Sequence, residues 1–108
     1  MKLLSLIVPV LNEEEAIPLF YEAVQEVLHD EPYELEILFV DDGSTDRTLE
    51  IIEGLHARDP RVRAISFSRN FGKELALAAG LQAARGDAVV PMDVDLQDPP
   101  ALLQQFLR

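Results

Sequence analysis

Short β-branched apolar runs alternate along this chain with longer stretches whose apolar residues recur at helical spacing. Leu3 to Val10 is mostly apolar and gives way to the polar Asn12, which predicts a strand buried on both faces, as in a parallel sheet. From Glu13 the period changes. Ala16, Leu19, Phe20, Ala23, Val24, Val27 and Leu28 share one helical face, with Glu13, Glu14 and Glu15 expected in the first turn, where acidic groups suit the helix dipole. Leu35 to Val40 predicts a second strand, and Leu49, Ile52 and Leu55 mark a second helix stopping near Asp59-Pro60. Between them, Asp41-Asp42-Gly43-Ser44-Thr45-Asp46 predicts a tight turn with Ser44 or Thr45 as N-cap. Val62 to Phe67 predicts a third strand. Lys73 to Ala84 predicts a third helix, apolar around much of its circumference and so expected to be deeply buried, with Gly86 closing it. Ala88 to Met92 predicts a fourth strand, in which Pro91 can donate no ladder bond and a bulge or unpaired position is expected. Pro99-Pro100 then opens a short last helix, Ala101 to Arg108, so that the chain is expected to stop partway through a fold.

A β-α unit repeated three times and followed by a strand implies the α/β class: a Rossmann-like, mostly parallel sheet with flanking helices and right-handed crossovers, one domain over residues 1–108. Twenty Asp and Glu against nine Lys and Arg give a net charge of −11, which argues against nucleic-acid partners and against adhesion to anionic lipid. A hydrophobic fraction of 48% is that of a globular chain. The absence of cysteine removes disulfides, thiolate metal sites and cysteine nucleophiles. No apolar run is long enough to span a bilayer, so this chain by itself is expected to be soluble.

Open parallel sheets bind ligands outside the carboxyl ends of their strands, and polar residues gather at all four of those ends here. Asp93 and Asp95, one residue apart, would share a face in extended geometry and address one hard cation; the plainer alternative is that Asp95 or Asp98 caps the last helix. With only oxygen donors in reach, Mg2+ or Mn2+ fits better than zinc. Asp41 and Asp42 point to opposite faces, so one would meet a ligand and the other shape the turn. Arg69 and Lys73 flank a glycine before the third helix, where they would contact an anion or simply balance an acidic surface. Neither Gly-x-Gly-x-x-Gly after the first strand nor a Gly-Lys-Ser/Thr phosphate loop is present. His29 and His56 are expected on solvated helix ends.

Taken together, Ile7-Val8-Pro9-Val10-Leu11-Asn12-Glu13-Glu14, Val40-Asp41-Asp42-Gly43-Ser44-Thr45-Asp46, Ser68-Arg69-Asn70-Phe71-Gly72-Lys73-Glu74 and Met92-Asp93-Val94-Asp95-Leu96-Gln97-Asp98-Pro99-Pro100 resemble the family-2 glycosyltransferases. The likeness is greatest to bacterial polyprenyl-phosphate glycosyltransferases and dolichol-phosphate mannose synthases. It implies a partial GT-A fold, a nucleotide-sugar donor linked to UDP or GDP, and Mg2+ or Mn2+ as cofactor. It also implies residue roles: Pro9, Leu11 and Glu13 lining the nucleoside pocket, Val40 and Asp42 at the base, Asp93 and Asp95 as an Asp-x-Asp site for metal and diphosphate, Val94 against the ribose and Gln97 near the donor. Leu11 stands where many members carry an aromatic residue, and Val94 where alanine is usual. The family's catalytic base and acceptor site lie beyond the Asp-x-Asp region, so this chain is expected to be the donor-binding half, with a lipid phosphate acceptor served by the remainder at the cytoplasmic face of the membrane. An alternative is a non-catalytic nucleotide-binding module completed by a partner or by a second copy, as a homo-oligomer. A nucleotidyltransferase reading is disfavoured because Val10-Leu11-Asn12-Glu13-Glu14 occupies the place of a glycine-rich basic loop.

Overall fold

The computed structural model describes residues 2–29 and 32–95, and its sheet is built around the first apolar run of the chain. That run forms β1 (Leu3–Val10), followed by α1 (Ala16–Leu28), β2 (Glu34–Asp41), α2 (Thr48–Arg58), β3 (Val62–Ser66), α3 (Lys73–Ala83) and β4 (Ala88–Pro91). The four strands are parallel, in the order β3-β2-β1-β4. β1 pairs with β2 from Leu3↔Glu34 to Val10↔Asp41 and with β4 from Leu4↔Ala88 to Ile7↔Pro91. The chain therefore steps outward from β1 to β3 and crosses back to the other side of β1. Strand order reverses between β1 and β4, and that reversal opens a crevice at the carboxyl ends.

Alternation along the strands supplies two cores, one on each face. Leu4, Leu6, Val8 and Val10 of β1 and Ile37 and Phe39 of β2 point to the α1 and α2 side, where they meet Ile17, Phe20, Val24, Ile52 and Leu55. The Phe20 and Phe39 rings meet edge to face, with centroids 6.1 Å apart. On the other face Ile7, Leu38 and Val40 lie beneath Ala76 of α3. Burial on both faces is why β1 and β2 read as near-continuous apolar runs.

Local details differ from the sequence expectation, each for a physical reason. α1 begins at Ala16, not Glu13: the Glu13 carbonyl accepts from the Ala16 and Ile17 N–H groups, so the three glutamates form a turn ahead of the helix. α3 is not deeply buried; Ala76 and Gly80 alone are buried along it, while Leu75 and Leu81 are 54% and 51% exposed. The two small residues, one helical turn apart, let α3 lie so close to the sheet that a Cβ on Gly80 would come within 2.4 Å of the Ile7 Cγ2. Gly86 does not cap α3, which ends in extended backbone at Ala84. It sits instead where a Cβ would meet Ser5 Oγ at 2.5 Å, and its N–H donates to that oxygen. Ser5 Oγ in turn donates to Glu36, which also accepts from Arg63 and from the Arg85 N–H. Burial pushes the Glu36 carboxyl up, but the bonds from Ser5, Arg63 and Arg85 outweigh it and hold it below the usual range. Pro91 needs no bulge. β4 is an edge strand among the described residues, and Pro91 pairs in register opposite Ile7 while Met92 N–H donates to the Ile7 carbonyl. The expected last helix, Ala101 to Arg108, and Gln97 lie outside the described residues.

Candidate functional site

The loops that leave β1, β2 and β4 and the loop that enters α3 meet at the carboxyl end of the sheet. Pro9, Val10, Leu11, Glu13, Asp42, Asn70, Gly72, Lys73, Asp93, Val94 and Asp95 line one cleft there, of about 470 Å3. Pockets of this size accommodate small-molecule ligands.

The β1 loop is held in place by Asn12, whose φ of 53° lies in the left-handed region that asparagine tolerates better than most residues. Its Oδ1 accepts the Thr45 and Asp46 N–H groups at 2.8 and 3.3 Å, and its own N–H donates to Ser44 Oγ at 2.8 Å. Glu13 N–H donates to Thr48 Oγ1 at 2.9 Å. Residues 12–14 and 44–48 are thereby joined backbone to side chain, and Leu11 and Glu13 are set at the cleft wall. This network also revises the expected cap of α2. Ser44 is taken up by Asn12, and the Thr48 N–H is met at 2.9 Å by Asp46 Oδ1. The Thr48 bonds hold the Asp46 carboxyl below its ordinary value against a smaller opposing effect of burial.

The adjacent aspartates divide their tasks. Asp41, last in β2, accepts the Ser44 N–H through Oδ1 and shapes the turn. Asp42 faces the cleft, and its two oxygens accept the Phe71 N–H at 2.8 Å and the Gly72 N–H at 3.1 Å. Between them and this loop, Gly43 has a φ of +80°, and a Cβ there would meet the Arg69 carbonyl carbon at 2.3 Å and the Asn70 nitrogen at 2.5 Å. The end of β2 and the loop before α3 thus touch main chain to main chain. Only glycine permits that approach.

Asp93 and Asp95 both line the cleft but lie beyond the end of β4, with Asp95 in a turn, and so are not in the strand. Asp93 Oδ1 accepts from Lys73 Nζ at 3.0 Å. Among the described residues no group of three or more His, Cys, Asp or Glu is placed to hold a metal. Two carboxylates are nonetheless the donor set that Mg2+ or Mn2+ takes when phosphate oxygens and water complete its shell.

Pro9, Leu11, Glu13, Asp42, Lys73, Asp93, Val94 and Asp95 are therefore brought together from four separate segments. Val40 is not among the lining residues; it is fully buried between the sheet and α3. Arg69 also lies off the cleft, with its guanidinium 4.8 Å from the centre of the Phe71 ring, a cation–π contact. Val10 and Asn70 line the cleft although the sequence assigns them no role of their own, and Gly72, the glycine between Arg69 and Lys73, lines it too. Chemically, the cleft offers an apolar wall at Pro9 and Leu11, acceptors at Glu13 and Asp42, and a carboxylate pair beside one ammonium.

Comparison with known proteins bears on the same segments. The family model described as "Glycosyl transferase family 2" matches residues 5–108. A "Bactoprenol glucosyl transferase" of Shigella phage SfV is 62% identical over 105 residues, which is 97% of this chain and 34% of that protein. The chain thus spans about a third of the length of such relatives. Among solved structures, that of S. aureus TarS residues 1–349 in complex with UDP superposes with a TM-score of 0.75 at 30% identity, covering 97% of this chain and 32% of that one. The mannosyltransferase PcManGT from Pyrobaculum calidifontis, in complex with GDP-Man and Mn2+, gives 0.66 at 30% identity, covering 85% and 27%. Among the described residues no helix is long and apolar enough to cross a membrane.

Proposed function

The chain belongs to glycosyl transferase family 2, and from that premise we propose that it forms the donor half of an enzyme transferring a sugar from a nucleoside diphosphate to a polyprenyl phosphate. One observation carries the reading: Asp42 and the pair Asp93 and Asp95, far apart in sequence, line a single cleft at the strand-order reversal. Asp42 meets the nucleobase. Its carboxylate has room for roughly four hydrogen bonds and uses two on Phe71 and Gly72, so acceptor capacity is left for a base N–H. Pro9 and Leu11 give the nucleoside an apolar surface, and Glu13 accepts from its hydroxyl groups. Val94, buried beside the carboxylates, closes the ribose side; Gln97 is assigned to the donor as well.

Asp93 and Asp95 would hold Mg2+ or Mn2+ together with the diphosphate, and the ion would stabilise the charge that develops on the departing nucleoside diphosphate. The complex of PcManGT with GDP-Man and Mn2+ supports a divalent ion here, and the UDP and GDP-Man complexes of the neighbours support either base. The similarity to a bactoprenol glucosyl transferase supports a polyprenyl phosphate as acceptor, and with it action at the membrane, for which we propose the cytoplasmic face. The acceptor site and the catalytic base are assigned to a part of the enzyme other than this donor cleft.

The test is calorimetric titration of the chain with UDP and with GDP, each with and without Mn2+. Saturable, metal-dependent binding is expected, weakened by Asp42→Ala and abolished by Asp93→Ala. Absence of binding, or binding unchanged in both variants, would overturn the assignment.

A further inference from the structure

We infer that Lys73 switches partners during donor binding: it occupies Asp93 while the cleft is empty of donor and passes to the diphosphate when a divalent ion takes that carboxylate. The inference deepens the donor-site reading and rests on it.

Of the described residues lining the cleft, Lys73 carries the positive charge, against Glu13, Asp42, Asp93 and Asp95. Its ammonium lies 3.0 Å from Asp93 Oδ1, and that is the carboxylate a divalent ion must approach. An ammonium and a dication on the same carboxylate repel each other, so the approach of the ion weakens the hold of Asp93 on Lys73. The singly charged ammonium is the one that gives way. The pair is solvent-exposed, with 64% of the Lys73 side chain and 38% of that of Asp93 accessible, so it is weakly held and separates at little cost.

The rest of Lys73 does not move away when the ammonium does. It is the first residue of α3, and the preceding Gly72 is fixed through its N–H to Asp42. The four-carbon stem therefore swings from a fixed base within the cleft. A diphosphate bound beside Asp93 would lie within its sweep, and the lysine ammonium is a compact, three-donor partner for phosphate oxygens. Metal alone displaces Lys73 into water. Metal with diphosphate displaces it into a second favourable contact. The two ligands are consequently coupled, each strengthening the other by the same factor.

Electron paramagnetic resonance of free Mn2+, titrated with the chain in the absence and presence of UDP or GDP, separates these effects. Lys73→Met is expected to bind Mn2+ alone about two- to fivefold more tightly than the unaltered chain, the range spanned by an exposed ion pair. It should also bind the nucleoside diphosphate with Mn2+ several-fold more weakly, so that the coupling factor falls. Arg58→Met removes a like charge from the exposed end of α2 and should change neither quantity. Unchanged or weaker Mn2+ binding by Lys73→Met without nucleotide overturns the inference. So does an equal gain in Arg58→Met, which would mark a general charge effect. If the unaltered chain binds neither UDP nor GDP in Mn2+, the donor-site reading fails; if it binds them and the nucleotide-free arm fails, only this inference does.

Discussion

Asp42 grips Gly72 across the mouth of the cleft, its Oδ2 accepting the Gly72 N–H at 3.1 Å while Oδ1 takes the N–H of Phe71. One carboxylate thus braces the loop that leads into α3 and faces the ligand space at once. Replacing it with asparagine puts an amide NH2 where one of those N–H groups now points. Asp42→Asn should weaken nucleoside diphosphate binding by roughly tenfold, about the worth of one charge-assisted hydrogen bond. The Phe71 and Gly72 amides should exchange with deuterium faster in the variant. Weaker binding with unaltered exchange would mean that Asp42 touches ligand without bracing the loop.

Gly43 makes the same junction possible from the backbone side. Its φ of +80°, and the 2.3 Å that would separate an added Cβ from the Arg69 carbonyl carbon, leave no place for a methyl group. Gly43→Ala should cost on the order of 2–4 kcal/mol, because main chain rather than a side-chain tip must move. Urea unfolding would show this as a lowered midpoint; an unchanged midpoint would refute the packing argument.

Asn12 combines a left-handed backbone with an oxygen that ties two loops. Asn12→Gly keeps the conformation and loses the tie to Thr45 and Asp46, whereas Asn12→Ala loses both. The alanine variant should be the less stable of the two by about 1 kcal/mol, the ordinary cost of a left-handed alanine. Chemical denaturation of the pair decides it. Equal stabilities would mean that the loop relaxes to another conformation.

Asp59 sets the acid limit of the fold. It accepts from Arg61, Tyr21 and Gln25, joining α1 to the start of β3. The Arg61 bonds hold its carboxyl far below the ordinary 3.8, against burial and with help from Tyr21. Because the folded value lies below the unfolded one, its contribution is complete above pH 4 and is lost progressively as the pH falls below that. Asp59→Asn should lower stability by about 2 kcal/mol at pH 7 and flatten the acid limb below pH 4. Denaturation midpoints from pH 2 to 7 would test this, and a variant as acid-sensitive as the parent would refute it. The Tyr21 hydroxyl, meanwhile, is raised by burial and by its bond to Asp59.

The element pattern was legible because β1 and β2 are buried on both faces, and that leaves unbroken apolar runs such as Leu6-Ile7-Val8. The candidate site was legible for a different reason: polar residues clustered at four successive strand ends, and a doubly wound sheet brings such ends together. Asn12 escaped notice as a linchpin, since its partners Thr45 and Asp46 lie more than thirty residues away and nothing local marks them. Gly86 was misread for a related reason. Past a helix, a glycine suggests a cap, but its absent Cβ here makes room for Ser5, some eighty residues earlier. Burial of α3 was overestimated because a run rich in Ala and Leu does not reveal that Ala76 and Gly80 are the residues buried against the sheet while Leu75 and Leu81 face outward. Contacts between distant residues decide all three, and periodicity carries no record of them.

The pairing of β1 with β4 has a kinetic side. Leu4 lies opposite Ala88, and the Leu3 N–H donates to Asp87 across 84 positions of chain. By contrast, β1 with β2 and β2 with β3 close much shorter loops. Ordering β4 carries the greatest loop-closure entropy in the sheet, so it is expected to dock last in folding. Asp93 and Asp95 ride on its end. During synthesis or refolding the wall bearing Asp42 would therefore exist before the wall bearing the carboxylate pair, and a ligand that bridges the two would act on the final step of assembly.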